Sequence, residues 1–382
     1  MTDSNLVTIH SQPSWRIQSK YVEAFLTETG GHLGPVRFSC AGTTLEPYSV
    51  APWVNDTIAP AMPPLIKVLR GDFFCLPFGG NGTPYNGEEH PPHGEVCNEK
   101  WKFEGIEQST HQQTLHVSMD TQVRAGHVDK YITLNDGHRA VYTKHVISGM
   151  SGPMPLGHHA MLKFPDIPGC ARISTSTIKH GRVFVEPAED PADRGYSILK
   201  PGATFESLES VPTITGETTD LSSYPNRRGF EDIAMIIADD ELPFAWTAAV
   251  VEEDGYVWFS LKDPRVLRGT VFWISNGGRH YEPWNGRHVN VLGLEEVTGF
   301  FHTGVAESAE PNALSDDGFP TYLDLNPDKP LHVNYITAVA AIPDGFGRVS
   351  DIKPSIDRHS AIIESDTGHR IEVPLDTSFL TS

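Results

Sequence analysis

The stretch FAWTAAVVEEDGYVWFSLKD, residues 244–263, decides the fold class. Two runs rich in Val, Trp, Phe and Tyr flank a turn at Asp254–Gly255, which is the signature of a β-hairpin. SAIIESDTGHRIEVPL (360–375) repeats the pattern around Asp366–Gly368. Upstream, QTLHVSMDTQV (113–123), KYITLND (130–136), HRAVYTKHVIS (138–148), GRVFVEP (181–187) and EDIAMIIADD (231–240) are short branched or aromatic runs, each closed by turn-forming residues. Long helical periodicity is absent, and 34 Gly and 30 Pro supply long loops between strands. The reading is all-β: a large antiparallel β-sandwich forming one domain over residues 1–382. The alternative is two β domains meeting near residues 185–225, where EPAEDPADRG and TITGETTDLSSYPNRRG are loop-like.

The bulk numbers narrow the function. A net charge of −20, from 29 basic and 49 acidic residues, argues against nucleic acid, since phosphate binding needs clustered Lys and Arg and none is present. No stretch approaches the 18 or so uninterrupted apolar residues of a membrane span. MTDSNLVTIHSQ has no basic segment followed by an apolar run, so no signal peptide is read there. Cys40, Cys75, Cys97 and Cys170 are widely spaced and form no CxxC, which fits free thiols in a reducing compartment. The expected location is cytoplasmic.

Three stretches join a strand-like run to a loop and carry ionisable residues there, the usual placement of functional groups on a rigid scaffold. They are LRGDFFCLPFGGN (69–81) running into HPPHGEVCNEKW (90–101), PLGHHAMLKFP (155–165) and VLGLEEVTGF (291–300). In the first, the prolines and Gly94 can hold His93 at the start of a strand. Trp101 either floors a sugar site or belongs to the core. His90 and His93, with Cys97, either bind metal or are hydrogen-bonded loop residues; zinc needs three or four ligands and no fourth is evident. Neighbours on a strand point to opposite faces, so only one of His158 and His159, and one of Glu295 and Glu296, can face a given pocket. A histidine and a carboxylate meeting in one pocket would form an acid–base pair suited to neutral pH. Secondary candidates are Arg227, Arg228 and Asp232, either sugar or phosphate ligands or loop salt bridges, and Trp273 and Trp284, either cleft or core.

Taken in order, these stretches resemble the aldose 1-epimerase (galactose mutarotase-like) superfamily. LRGDFFCLPFGG resembles the family's early Arg-Gly segment, and HPPHGEVCNEKW its His-Gly segment closing on tryptophan. GHHAMLKFP resembles the segment around the second histidine, LEEVTG the late Glu-Pro-x-Thr-Gly segment, and GGHLGPVRF (30–38) the opening strand. The resemblance implies the galactose mutarotase-like supersandwich. It implies that His93 holds substrate near the ring oxygen, that His159 is the general acid there, that Glu295 is the general base at the anomeric hydroxyl, and that Arg70 is a binding arginine of the hexose-phosphate branch. The sequence departs from the family at His158 for tryptophan, at Ala160, Met161 and Leu162 for Pro-Tyr-Phe, and at Glu296 for proline.

The implied activity is interconversion of α and β anomers of an aldose, with a monosaccharide or sugar phosphate as partner, no metal or organic cofactor, and a homodimer allowed. It requires an ionised Glu295 beside a His159 whose pKa is held near or above neutrality. The rivals are a non-catalytic carbohydrate-binding or sugar-sensing protein on the same fold, and a metal-dependent sugar isomerase or lyase using His90 and His93.

Overall fold

A computed structural model describes residues 6–382. Two large antiparallel sheets face each other. The first has nine strands, in the order Ser223–Tyr224, Ala171–Thr175, Ala245–Val251, Tyr256–Lys262, Leu331–Ala341, Ala140–Ser148, Gly126–Asn135, Gln112–Thr121, Lys102–Gln108. The second runs Thr204–Phe205, Ile178–Val183, Phe230–Ala238, Gly269–Asn276, Val291–Thr298, Leu156–His158, Phe74–Cys75, with Ala160–Lys163 also paired to Val291–Thr298. The hairpin read from residues 244–263 pairs Ala245–Val251 with Tyr256–Lys262, and Gly255 takes the positive φ its turn requires. A five-stranded sheet of residues 6–45 and a three-stranded sheet of residues 349–374 flank the pair. The loop-like region 185–225 contributes an edge strand to each large sheet.

The central strands differ from the half-exposed pattern of a simple sandwich. Every residue of Ala245–Val251, Tyr256–Lys262, Gly269–Asn276 and Val291–Thr298 is buried. The two-residue period therefore sorts side chains between two interiors rather than between core and water. In the first sheet Trp258 and Ala249 face the space between the sheets, while Phe259 and Trp246 face the C-terminal sheet, against Ile352, Ile363 and Val373. In the second, Phe272, Ile274, Leu292 and Leu294 face the space between the sheets. Val271, Trp273, Ile233 and Met235 face outward, under a cap of loops bringing Trp53, Leu65, Phe73 and Trp284. That outer face is where a site can be built.

The inner face carries polar groups that must be matched. Glu296 is fully buried and accepts hydrogen bonds from Ser260 Oγ at 3.0 Å and Thr270 Oγ1 at 2.7 Å. It is ion-paired with Lys262, whose ammonium also donates to Gly269 O at 2.6 Å. Removing one partner of a buried pair strands the other charge. Lys262→Met is expected to lower stability by about 3–5 kcal/mol in urea denaturation. A loss below about 1 kcal/mol, the value of an exposed pair, would contradict a buried ion pair here.

Candidate functional site

Glu295 lies opposite Val271 in the sheet and points outward, while its neighbour Glu296 points inward. Gly293, two residues earlier on the same face, keeps the space open. A Cβ there would stand 2.8 Å from Glu295 Oε1 and 3.0 Å from Trp273 Cβ. His158 and His159 divide in the same way. His158 is held inside by Asp72, Nδ1 to Oδ2 at 2.8 Å, and stacks on Tyr335. His159 turns outward, its amide donating to Phe73 O at 2.8 Å and its Nε2 lying 3.3 Å from Glu295 Oε1.

His159 and Glu295 sit in a cavity of about 170 Å³ that His93, His302, Arg279, Trp273 and Trp284 also line. Phe73 stacks on His159 with ring centres 4.4 Å apart, and Trp273 meets its edge at 5.6 Å. His93 comes from the loop HPPHGEVCNEKW, and its ring centre is 5.1 Å from that of His159. Its backbone is left-handed, with φ 58°, which costs of order 1 kcal/mol for a non-glycine residue. Gly94, at φ 83°, lets the chain cross Leu76, whose carbonyl oxygen would lie 2.0 Å from any Cβ. Arg279 lies over Trp273 and Trp284, 5.1 and 4.8 Å from the ring centres, and its Nε donates to Glu189 at 2.5 Å. Behind it, Glu231 accepts from Trp273 Nε1 and Ser275 Oγ, both at 3.0 Å.

Enclosure sets the proton states. Burial pulls His159 well below the usual histidine value, and the charge His93 would carry adds to this. Burial pushes Glu295 well above the usual carboxylate range, opposed by Arg279. Both shifts run against the expectation of a histidine near or above neutrality beside an ionised carboxylate. Burial thus disfavours the charged form of both groups. His93 is lowered to about 3 and His302 to about 4, each mainly by burial. Burial also acts to lower Arg279, but the charges of Glu231, Tyr281 and Glu189 outweigh it and keep the guanidinium ionised.

Three residues expected at the site lie elsewhere. Arg70 is fully buried, and its guanidinium donates to the carbonyls of Val68, Ile9 and His10 at 2.9, 3.0 and 3.0 Å. It anchors the first hairpin, because three inward-facing carbonyls need a donor. Trp101 is a core residue whose Nε1 donates to Val96 O at 2.8 Å and whose ring packs on Gly31. Asp232 is the strand neighbour of the cavity-lining Ile233, so it faces the other way. Its carboxylate accepts the amides of Ile198 and Leu199, both at 3.0 Å, and burial raises it to about 7.

The metal-ligand grouping also separates. His90 pairs with Glu88 at 3.0 Å, Glu88 with Arg124 at 2.6 Å, and the Cys97 thiol turns onto the carbonyls of Pro92, His93 and Gly94. Among the described residues no three His, Cys, Asp or Glu side chains converge as a metal site. Arg228 forms an exposed ion pair with Asp166, and Arg227 lies over the Phe230 ring. Sequence reasoning did not single out Arg279 or His302. Arg279 falls between Trp273 and Trp284, and His302 lies two residues beyond VLGLEEVTGF. A cation set between two tryptophans was the available signal for the first, while nothing local marked the second.

No protein-family model and no curated protein matches the sequence. Solved structures match over nearly the whole fold. A galactose mutarotase-like protein from Clostridium acetobutylicum superposes with TM-score 0.58 at 14% identity, over 88% of this chain and 98% of that one. A candidate aldose 1-epimerase from Klebsiella pneumoniae gives 0.59 at 15%, over 87% and 80%. A galactose mutarotase related enzyme from Lactobacillus acidophilus gives 0.53 at 11%, over 87% and 98%. The chain has the galactose mutarotase-like fold in a divergent form.

Buried neutral histidines couple stability to pH. His32, His93, His145, His159, His288 and His302 are all lowered, chiefly by burial, so only the unfolded chain takes up their protons below about pH 6.5. Glu231, Asp232 and Glu295, raised by burial, hold protons in the fold that the unfolded chain has released, and act in the opposite sense. Six groups against three leave a net uptake on unfolding. Stability should therefore fall from pH 6.5 to 5, by about 1.4 kcal/mol per pH unit for each net proton. Urea midpoints at the two pH values read this, and a midpoint unchanged or higher at pH 5 would contradict neutral buried histidines.

Proposed function

We propose that this chain interconverts the anomers of an aldose, with His159 and Glu295 as its acid–base pair. The observation that carries the reading is the 3.3 Å approach of His159 Nε2 to Glu295 Oε1 on the floor of an aromatic-walled cavity. One proton shared by two groups makes one acid and one base. The base takes the proton of the C1 hydroxyl while the acid protonates the ring oxygen. The C1–O5 bond opens to the aldehyde, C1 turns about C1–C2, and closure on the opposite face reverses both transfers. Resemblance assigns Glu295 as base and His159 as acid. Burial favours the proton on Glu295, and its passage to His159 along the short contact would prepare that assignment. Trp273 and Phe73 supply flat apolar surface for a sugar face, and Arg279 and His93 supply nitrogen donors for its oxygens. The chemistry of these residues needs no cofactor.

A second reading, sugar binding without catalysis, is favoured by one observation. Leu65, Ile66, Leu69, Ile233 and Val271 line much of the cavity, and burial disfavours the charged form of both reacting groups. The two readings separate in one experiment. Anomer exchange in freshly dissolved aldoses and aldose phosphates is followed by NMR exchange spectroscopy with and without the protein. The mutarotase reading expects faster exchange for at least one sugar, reduced about 10²–10⁴-fold in folded Glu295→Gln. Full exchange activity in that variant would end the assignment. Saturable binding with no acceleration across the panel would establish the second reading instead.

A further inference from the structure

The Nδ1 nitrogen of His93 is enclosed by two groups that the proposed chemistry does not use. The Gly79 amide nitrogen is 3.4 Å from it and Cys75 Sγ is 3.3 Å from it. A backbone N–H can only donate, so Nδ1 must present its lone pair. The Cys75 thiol then donates to the same nitrogen. Cys97 Sγ is the other acceptor within reach of that thiol, while the Cys97 thiol itself is turned onto the carbonyls of Pro92, His93 and Gly94. Burial keeps Cys75 a thiol by raising its pKa well above the usual value, and keeps the imidazole neutral. A neutral imidazole whose Nδ1 accepts carries its single hydrogen on Nε2. That nitrogen has no protein partner among the described residues, and the ring lines the cavity.

We infer that Cys75, with the Gly79 amide, locks His93 in the Nε2–H form, so that it offers the cavity a fixed hydrogen-bond donor and never a base. Cys75 is thus a positioning residue, acting through His93. The backbone supports the same geometry from the other side, because the His93 amide donates to Gly79 O at 2.6 Å and its carbonyl accepts from Leu76 N at 3.3 Å. Ring and main chain are both tied to residues 75–79. The use of this donor for a sugar oxygen rests on the proposed function, whereas the tautomer does not.

The test is a long-range ¹H–¹⁵N correlation spectrum of the full chain with ¹⁵N-labelled histidine, recorded at neutral pH without sugar. The His93 signals are assigned by their loss in His93→Gln. The expected wild-type result is Nδ1 shifted as an unprotonated nitrogen and Nε2 as a protonated one. In Cys75→Ala, where the long 3.4 Å contact from the Gly79 amide is the only donor left on Nδ1, the two shifts should move part of the way toward each other, and Cys75→Ser, which retains a donor, should restore their separation. A wild-type Nδ1 that carries hydrogen, alone or together with Nε2, would overturn the assignment without any Cys75 variant having to fold. A Cys75→Ala spectrum identical to wild type would overturn the role of Cys75. Because no sugar is present, neither outcome depends on whether the chain interconverts anomers.

Discussion

Burial of the central strands on both faces is the constraint from which the site follows. In a sheet with one wet face, adjacent ionisable residues are unremarkable, because one of them reaches water. Here neither does. On Val291–Thr298 the pair Glu295–Glu296 places one carboxyl in a cavity and the other between two sheets. The inner one survives only because Lys262, Thr270 and Ser260 match it. The adjacent histidines repeat the arrangement, with Asp72 and Tyr335 around His158 and Phe73 and Trp273 around His159. A slip of one residue in the pairing of either segment would exchange the inner and outer sets. The inner partners therefore hold the register that aims the outer pair.

The same enclosure determines the chemistry of that pair. An exposed glutamate and histidine would stand at neutral pH as a carboxylate beside a partly protonated ring. Removed from water, both charged forms are disfavoured, which lowers the histidine and raises the carboxyl across their 3.3 Å contact. Among the described residues, Arg279 is the one permanent charge on the cavity wall, lying over two tryptophans and paired with Glu189. It opposes the rise of Glu295 and depresses His93, His159 and His302. Among the described residues the site thus sets titratable groups whose charged forms burial disfavours beside a single fixed cation.

The sequence carried the strands and the facing of their side chains plainly, because alternation and turn residues are local. The hairpin of residues 244–263 needed nothing beyond its own twenty letters. The fold followed from the order of the stretches around His93, His159 and Glu295. What local letters could not carry was which loops converge. Arg279 and His302 reach the cavity from loops after Gly269–Asn276 and Val291–Thr298, and only the closed topology sets them opposite His93. Proton states were misread for the same reason, since enclosure by residues 65–69, 73 and 284 is a property of the assembled loops.

The misplaced residues share a physical cause. Arginine, tryptophan and aspartate recognise sugars through fork-shaped donors, flat apolar faces and paired acceptors. Those properties equally suit a residue that must close a protein's own backbone. Arg70 gathers three carbonyls, Asp232 gathers two amides, and Trp101 packs on a glycine while its N–H reaches Val96. Residue type gives the kind of partner and is silent on whether it is a ligand or the chain. Within HPPHGEVCNEKW both uses occur side by side. Asn98 and Cys97 bind the loop's own carbonyls, Trp101 seals its end, and His93, held through Nδ1, turns its ring to the cavity, which His90, held through Nε2 by Glu88, does not line. A ring held at one nitrogen and facing a cavity with the other is the residue of this loop directed at something outside the chain.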